Sequence, residues 1–192
     1  MGAGRLMARY KDIRPWCALV LGENMPLALM GQTQGLSLLF PMEKLFENYV
    51  ARWLHKQLSD DYSLRTQARH HSLAHHAGES MFQLRPDILL HSEEKQTTWV
   101  LDTKWKRLDA ANRSRSYGIS ERDMYQMLAY GSTYLKGSGR LLLVYPSWAG
   151  FNKALPYFQL PGSLRLDAVP FDLDTDGLVT DELLEFLQKP AK

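Results

Sequence analysis

Between Met42 and Leu58 the apolar residues Met42, Leu45, Phe46, Tyr49, Val50, Trp53, Leu54 and Leu58 recur at intervals of three and four. That period lines them along one face of a helix. Pro41 suits its entrance, where a backbone N–H has no helical partner to lose. The pattern then changes. Tyr62 to Ala68 alternates and predicts a strand, whereas the His-rich run RHHSLAHHAGES predicts an exposed loop. Met81 to Leu90 and Thr97 to Lys106 predict two more strands, the second rich in β-branched and aromatic residues, and the polar turn HSEEKQ joins them as an antiparallel hairpin. Ala110 to Gly118 is polar and reads as a mobile connection. Ser120, with Asp123 three residues on, opens a helix that runs to about Leu135, where Gly137 and Gly139 stop it. Leu141 to Tyr145 is wholly apolar, as a buried strand is; Leu164 to Leu173 predicts a last strand and Thr180 to Gln188 a last helix. Ahead of all this, Leu6 to Leu21 has a helical pattern broken by Pro15, and Asn24 to Gly35 is loop-like. The order helix, strands, helix, strand, strand, helix predicts an α/β layered domain with a mixed central sheet flanked by helices.

Composition bounds this reading without changing it. The 192 residues are 45% hydrophobic, 23% charged and 11% aromatic, as in an ordinary globular domain large enough for a real core. One cysteine, Cys17, excludes a disulfide framework and a cysteine zinc site, and reads as a small buried hydrophobe. The longest uncharged stretch, Asn24 to Met42, is broken by proline, glycine and glutamine, so no membrane span is expected. The N-terminus has no apolar signal region, which predicts a cytoplasmic protein. Net charge is only +2, but the stretch 167–187 holds seven acids and no Lys or Arg, while 104–165 holds ten basic residues against three acidic. A basic body with an acidic tail suits a polyanionic partner, but on charge alone a solvated terminal helix with a charged face is the favoured reading.

The chemistry lies in Pro86-Asp87, then fourteen residues, then Asp102-Thr103-Lys104. In a strand, residues two apart share a face, so Asp102 and Lys104 point one way, and the hairpin brings Asp87 to the same spot. Two adjacent carboxylates repel unless a divalent cation sits between them, and hard oxygen ligands suit Mg²⁺ or Mn²⁺. Lys104 beside such an ion could orient the attacking water and meet charge developing on a phosphate. This is the PD…(D/E)xK arrangement of metal-dependent nucleases, and its charges sit in an otherwise apolar strand, where they are costly without a function. The preceding helix offers Glu43 or Glu47 as a further acid; four apart, they share a helix face, and spacing does not separate them. Gln126 and Tyr130 form an i, i+4 pair on the later helix, suited to a phosphate, a base or the site lysine, or equally to a half-buried helix face.

The run MEKLFENYVARWL, followed by LRPDILL, WVLDTKWKRL and DMYQMLAYGSTYL, resembles the nuclease region of the McrC family, over roughly residues 36–146. The resemblance implies a restriction-endonuclease-like core of the PD-(D/E)xK superfamily over 36–192, with an acidic C-terminal segment from about 167. It also implies catalytic roles for Asp87, Asp102 and Lys104, with Glu47 as the helix acid and Gln126 and Tyr130 as the fourth motif. Asp87, Asp102 and Glu47 would then bind Mg²⁺, for which Mn²⁺ would substitute. The implied activity is hydrolysis of double-stranded DNA by the cleavage subunit of a modification-dependent restriction system, in complex with an AAA+ GTPase motor of the McrB type. Family members carry a much longer N-terminal region that docks on the motor, so residues 1–35 are left open as a docking segment or a remnant of one. No G-x-x-x-x-G-K-S/T run is present to bind GTP within this chain.

Trp105, Lys106 and Arg107, with Arg113 and Arg115, are candidates to grip the DNA backbone. His70, His71, His75 and His76 suggest zinc by spacing, but without a cysteine or an HExxH run that reading ranks behind basic His and Arg side chains beside DNA, and both rank behind a plain polar loop. Two alternatives stay open: a RecB-like or repair nuclease of the same superfamily acting without a motor, and a non-catalytic DNA-binding or assembly subunit that keeps the fold.

Overall fold

The structure, a computed structural model, describes residues 41–179. Cys17, the interrupted pattern over 6–21, the segment 1–35 and the expected helix over 180–188 lie outside the described residues. Helix α1 spans Met42–Gln57 behind Pro41. It buries Phe46, Val50, Ala51 and Leu54, but Leu45 and Tyr49 stay largely exposed, so the buried stripe is narrower than its apolar positions suggest. Strands β1 (Tyr62–Thr66), β2 (Ser72–His76), β3 (Glu79–Gln83), β4 (Ile88–Ser92) and β5 (Thr97–Thr103) follow. A connection containing tight turns over Arg113–Gly118 leads to helix α2 (Glu121–Tyr134). Strands β6 (Ser138–Pro146), β7 (Phe158–Gln159), β8 (Ser163–Asp172) and β9 (Gly177–Leu178) complete the described chain.

Seven strands form one mixed sheet in the order β1-β4-β5-β6-β8-β7, with β9 also on β8. The expected hairpin is present: β4 and β5 are antiparallel, pairing Ile88 with Leu101 and Ser92 with Thr97. Strands β5, β6 and β8 run parallel, which requires crossover connections, and α2 supplies the one between β5 and β6. The two faces carry separate cores. One packs α1 against Ile88, Leu90, Trp99, Leu101, Leu142, Val144, Val169 and Phe171, with Phe171 edge-on to Phe46 and Trp53. The other packs Met127 and Tyr130 of α2 against Val100, Leu141, Leu143, Tyr145, Leu164 and Leu166. The cap of α2 is as predicted: Ser120 Oγ accepts from the Asp123 N–H, and Asp123 accepts from the Ser120 N–H.

Four sequence expectations are corrected. The His-rich run is a β-hairpin, β2 with β3, separate from the main sheet. Met81 to Leu90 is two strands: Pro86 lacks the N–H a ladder needs, and the chain breaks between Gln83 and Ile88. The second strand ends at Thr103, three residues short of Lys106, while His91 and Ser92 pair within the ladder and leave only Glu93–Gln96 as the turn. The polar connection is hydrogen-bonded: Asp109 N bonds Tyr117 O, Ala110 N bonds Gly150 O, and Leu108 and Ile119 are buried beside it.

The β7–β8 turn approaches the end of α2 closely enough to exclude a side chain. Gly162 has φ +76°, and a Cβ there would lie 2.6 Å from the carbonyl oxygen of Gly137, which also accepts a 2.9 Å bond from Ser163 N. Gly162→Ala combines left-handed strain with a backbone clash and should cost about 2 kcal/mol. Thermal unfolding should show a midpoint several degrees lower; an unchanged midpoint would refute the close approach.

Candidate active site

The site forms where β4 begins and β5 ends. Pairing of Ile88 with Leu101 brings Asp87 alongside the Asp102–Thr103 step. Asp87 Oδ2 accepts from both the backbone N and the Oγ1 of Thr103, each at 2.8 Å. Its other oxygen faces Gln67 Nε2 at 3.4 Å. Gln67 follows β1 in a left-handed conformation, with its N–H bonded to the Asp87 carbonyl at 2.9 Å, and its Nε2 also donates to Glu47 Oε1. Glu47 is buried on α1 and paired with Lys44 at 2.7 Å, whereas Glu43 is exposed. The two helix acids that spacing left equivalent are thus told apart by packing: only Glu47 is linked to Asp87, and the link is Gln67.

Asp102 points to the opposite sheet face from Leu101, toward α2. Lys104 lies one step past the strand, its N–H bonded to Val144 O at 2.9 Å, and its Nζ sits 2.5 Å from Asp102 Oδ2. The same Nζ donates to Gln126 Oε1 at 2.9 Å and lies 3.9 Å from Asp123. Gln126 Nε2 donates to Tyr130 Oη at 2.8 Å, and Tyr130 Oη donates to the Arg85 carbonyl at 2.9 Å. The i, i+4 spacing on α2 therefore builds a relay from the lysine back to the chain just before Asp87. Burial, and after it the charge of Asp102, pushes the Tyr130 phenol well above its ordinary value, so it stays a neutral donor.

Burial dominates the electrostatics. Asp102 is 2% exposed, and burial together with the charge of Asp87 raises its pKa to about 7 despite Lys104. Burial also raises Asp87, outweighing the Thr103 hydrogen bonds, with Glu47 adding to the rise. Asp102 Oδ2 meets Lys104 in a geometry that leaves it without a well-formed hydrogen bond, and among the described residues the buried Tyr145 hydroxyl has no hydrogen-bond partner either. Asp123 carries a helix-cap signal in the sequence and no sign of a place in the site. Burial would raise it, but bonds from Lys106 at 2.5 Å and from Ser120 hold it below the usual carboxylate range. Gln67 and Thr103 carry no sequence signal for their roles, because those roles depend on which strand ends meet.

Among the described residues no three His, Cys, Asp or Glu side chains are gathered into a ready cage for a metal ion. Two destabilised carboxylates with an under-bonded buried oxygen nevertheless fit a hydrated Mg²⁺, which takes one or two protein carboxylates and completes its shell with water and phosphate. The proposed DNA contacts divide. Lys106 turns inward onto Asp123, and Trp105 packs on Phe46 in the α1 core, their rings 5.4 Å apart. Arg107 lies over the Trp148 ring at 5.4 Å, and Arg107, Arg113 and Arg115 are exposed on the β5–α2 connection. No helix among the described residues is long and apolar enough to cross a membrane.

No curated protein matches the sequence. Among solved structures, the chain is similar to a chain of the half-complex from the tetradecameric assembly of Thermococcus gammatolerans McrB AAA+ hexamers with bound McrC. The two share 16% identity with a TM-score of 0.58, over 90% of this chain and 35% of that one, so this chain spans about a third of that chain's length. At such identity the likeness speaks for the fold alone. The family model described as McrBC 5-methylcytosine restriction system component matches residues 1–146, a stretch that contains α1, Asp87, Asp102, Lys104 and the Gln126–Tyr130 pair. The chain therefore belongs to the McrBC family of restriction system components, as its McrC-like motifs implied.

Proposed function

We propose that this chain is a metal-dependent DNA endonuclease of the PD-(D/E)xK type, the cleavage subunit of a modification-dependent restriction system in the cytoplasm. The observation that carries the reading is the pair of carboxylates, half-buried Asp87 and buried Asp102, set against Lys104 just past the end of an otherwise apolar strand. Asp87 and Asp102 would hold Mg²⁺, with Mn²⁺ as a substitute, and Glu47 would assist through Gln67 or a bound water. Once bound, the ion would polarise the phosphodiester and acidify its water. Thr103 pins Asp87 in place, while Gln126 steers Lys104 to orient the nucleophile and meet charge developing on the phosphate. The proposed partners are double-stranded DNA and an AAA+ GTPase of the McrB type; the solved assembly that the fold resembles contains McrB AAA+ hexamers with bound McrC.

The direct test incubates the purified chain with supercoiled plasmid and Mg²⁺ or Mn²⁺, beside Asp102→Asn and a metal-free control. Nicking that needs the metal and is lost in the variant supports the reading; metal binding that does not depend on Asp102 would sink it. The two helix acids give a second test. Glu47→Gln should slow cutting by about 10–100-fold, as the loss of a supporting ligand does, while Glu43→Gln should leave the rate alone. Equal rates for both variants would remove α1 from the site.

A further inference from the structure

The β2–β3 hairpin has both faces in solvent: every residue of β3 is exposed, and Leu73, Met81 and Phe82 are 56%, 42% and 71% exposed. An isolated two-stranded ribbon without a buried face is marginal in water, so its anchorage has to come from its root. That root is well tied. Leu84 N bonds His71 O at 2.9 Å, and Tyr134 Oη lies 3.1 and 3.3 Å from the carbonyls of Ala68 and Leu84. The His71 ring stands edge-on to Tyr134 at 4.7 Å. The root also brackets the site, since Gln67 immediately precedes the insertion and Asp87 immediately follows it. Tyr130, at the far end of the Lys104–Gln126 relay, bonds the Arg85 carbonyl on the segment that joins β3 to β4.

We propose that this hairpin is the arm that holds duplex DNA against the carboxylate–lysine site. The inference rests on the endonuclease reading and adds where the duplex is gripped. A two-stranded ribbon fits the major groove of B-DNA. Over residues 68–86 the exposed polar groups suit a polyanion: Arg69, Arg85, His70, His71, His75 and His76 stand against one acid, Glu79. Guanidinium groups and ring N–H groups donate to phosphate oxygens. Phe82 is the most exposed large apolar residue on the described surface and has φ +57°, a conformation bulky residues rarely hold, as at functional sites under local strain. Against DNA such a side chain packs on sugars or wedges at a base step. The arginines at both roots and the continuity with the site, where the scissile phosphate must lie, favour DNA over a protein partner.

The test measures affinity for a short labelled duplex with Ca²⁺ in place of Mg²⁺, so that binding is read apart from cutting. Arg69→Ala/Arg85→Ala should bind at least tenfold more weakly, with the salt dependence shallower by about two counterions. Phe82→Ser, a change at a solvent-facing position, should weaken binding severalfold with the unfolding temperature unchanged. Wild-type affinity in both variants would overturn the proposal, as would intact DNA affinity with lost capture of an AAA+ partner. If Asp102→Asn binds Mg²⁺ as the wild type does, the endonuclease reading fails, and an arm whose variants lose duplex affinity stands. If the wild type nicks and the hairpin variants bind normally, only the arm fails.

Discussion

Asp102→Asn is expected to abolish metal-dependent nicking while making the protein more stable at pH 8. The side chain is 2% exposed, and burial together with the charge of Asp87 raises its pKa from an ordinary 3.8 to about 7. Between those values the folded chain keeps a proton that the unfolded chain has released. Stability therefore falls as pH rises through that window, and above about 7 the folded state carries the whole penalty of a buried charge, a few kcal/mol. Asparagine carries no such charge. The gap in unfolding temperature between variant and wild type should thus be small near pH 4 and large at pH 8. Mg²⁺ should narrow it by stabilising the wild type only. The cost falls on activity: losing a ligand that would hold the ion should remove several kcal/mol of transition-state stabilisation, roughly a 10³-fold loss or more. Wild-type nicking by Asp102→Asn, or a stability gap that does not change with pH, would show that Asp102 is not the group described here.

Lys104→Met should act in the opposite sense on stability and the same sense on rate. Lys104 Nζ is the cation nearest the buried Asp102 carboxylate and the donor to Gln126 Oε1. Removing one partner of a buried pair strands the other, at a cost of about 3–5 kcal/mol where both are charged. Below pH 7 Asp102 can take up a proton instead, so the loss should be far smaller at pH 5 than at pH 8. Adding Asp102→Asn should recover most of it, because no charge is then stranded; the double-mutant cycle measures that coupling. Turnover should fall by about 10²–10⁴-fold, as for loss of a positioned proton-transfer or charge-stabilising group, with metal binding retained. Additive effects on stability in the cycle would contradict the pairing.

Much of this architecture was written in the local pattern. The period of α1, the polar turn between β4 and β5, the cap at Ser120 and the apolar run of β6 each depend on residues close in sequence, and each is present in the fold. The Asp102-x-Lys104 spacing was legible for the same reason: extended backbone sets residues two apart on one side, and Lys104, one step past the end of β5, keeps the side of Asp102. The hairpin over 72–83 was not legible. Its strands are short, rich in histidine and without a buried face, so the alternation that marks a strand against a core has nothing to mark. The break at Pro86 was hidden by apolar residues on both sides of it, although a proline without an N–H is what ends the pairing.

What the sequence determined by itself is therefore the set of elements and the chemistry carried along short stretches of them: an amphipathic helix, a strand end with a carboxylate and, just past it, a lysine on the same side, a capped helix with Gln126 and Tyr130 one turn apart. Tertiary structure decided everything that depends on two elements meeting. It buried Glu47 and left Glu43 in water, recruited Gln67 and Thr103 to hold Asp87, turned Lys106 onto Asp123, and brought two carboxylates into a space so poorly solvated that their protons are hard to lose. The reason is physical: periodicity says which way a side chain points along its own element, whereas burial and charge pairing depend on neighbours that arrive from elsewhere in the chain.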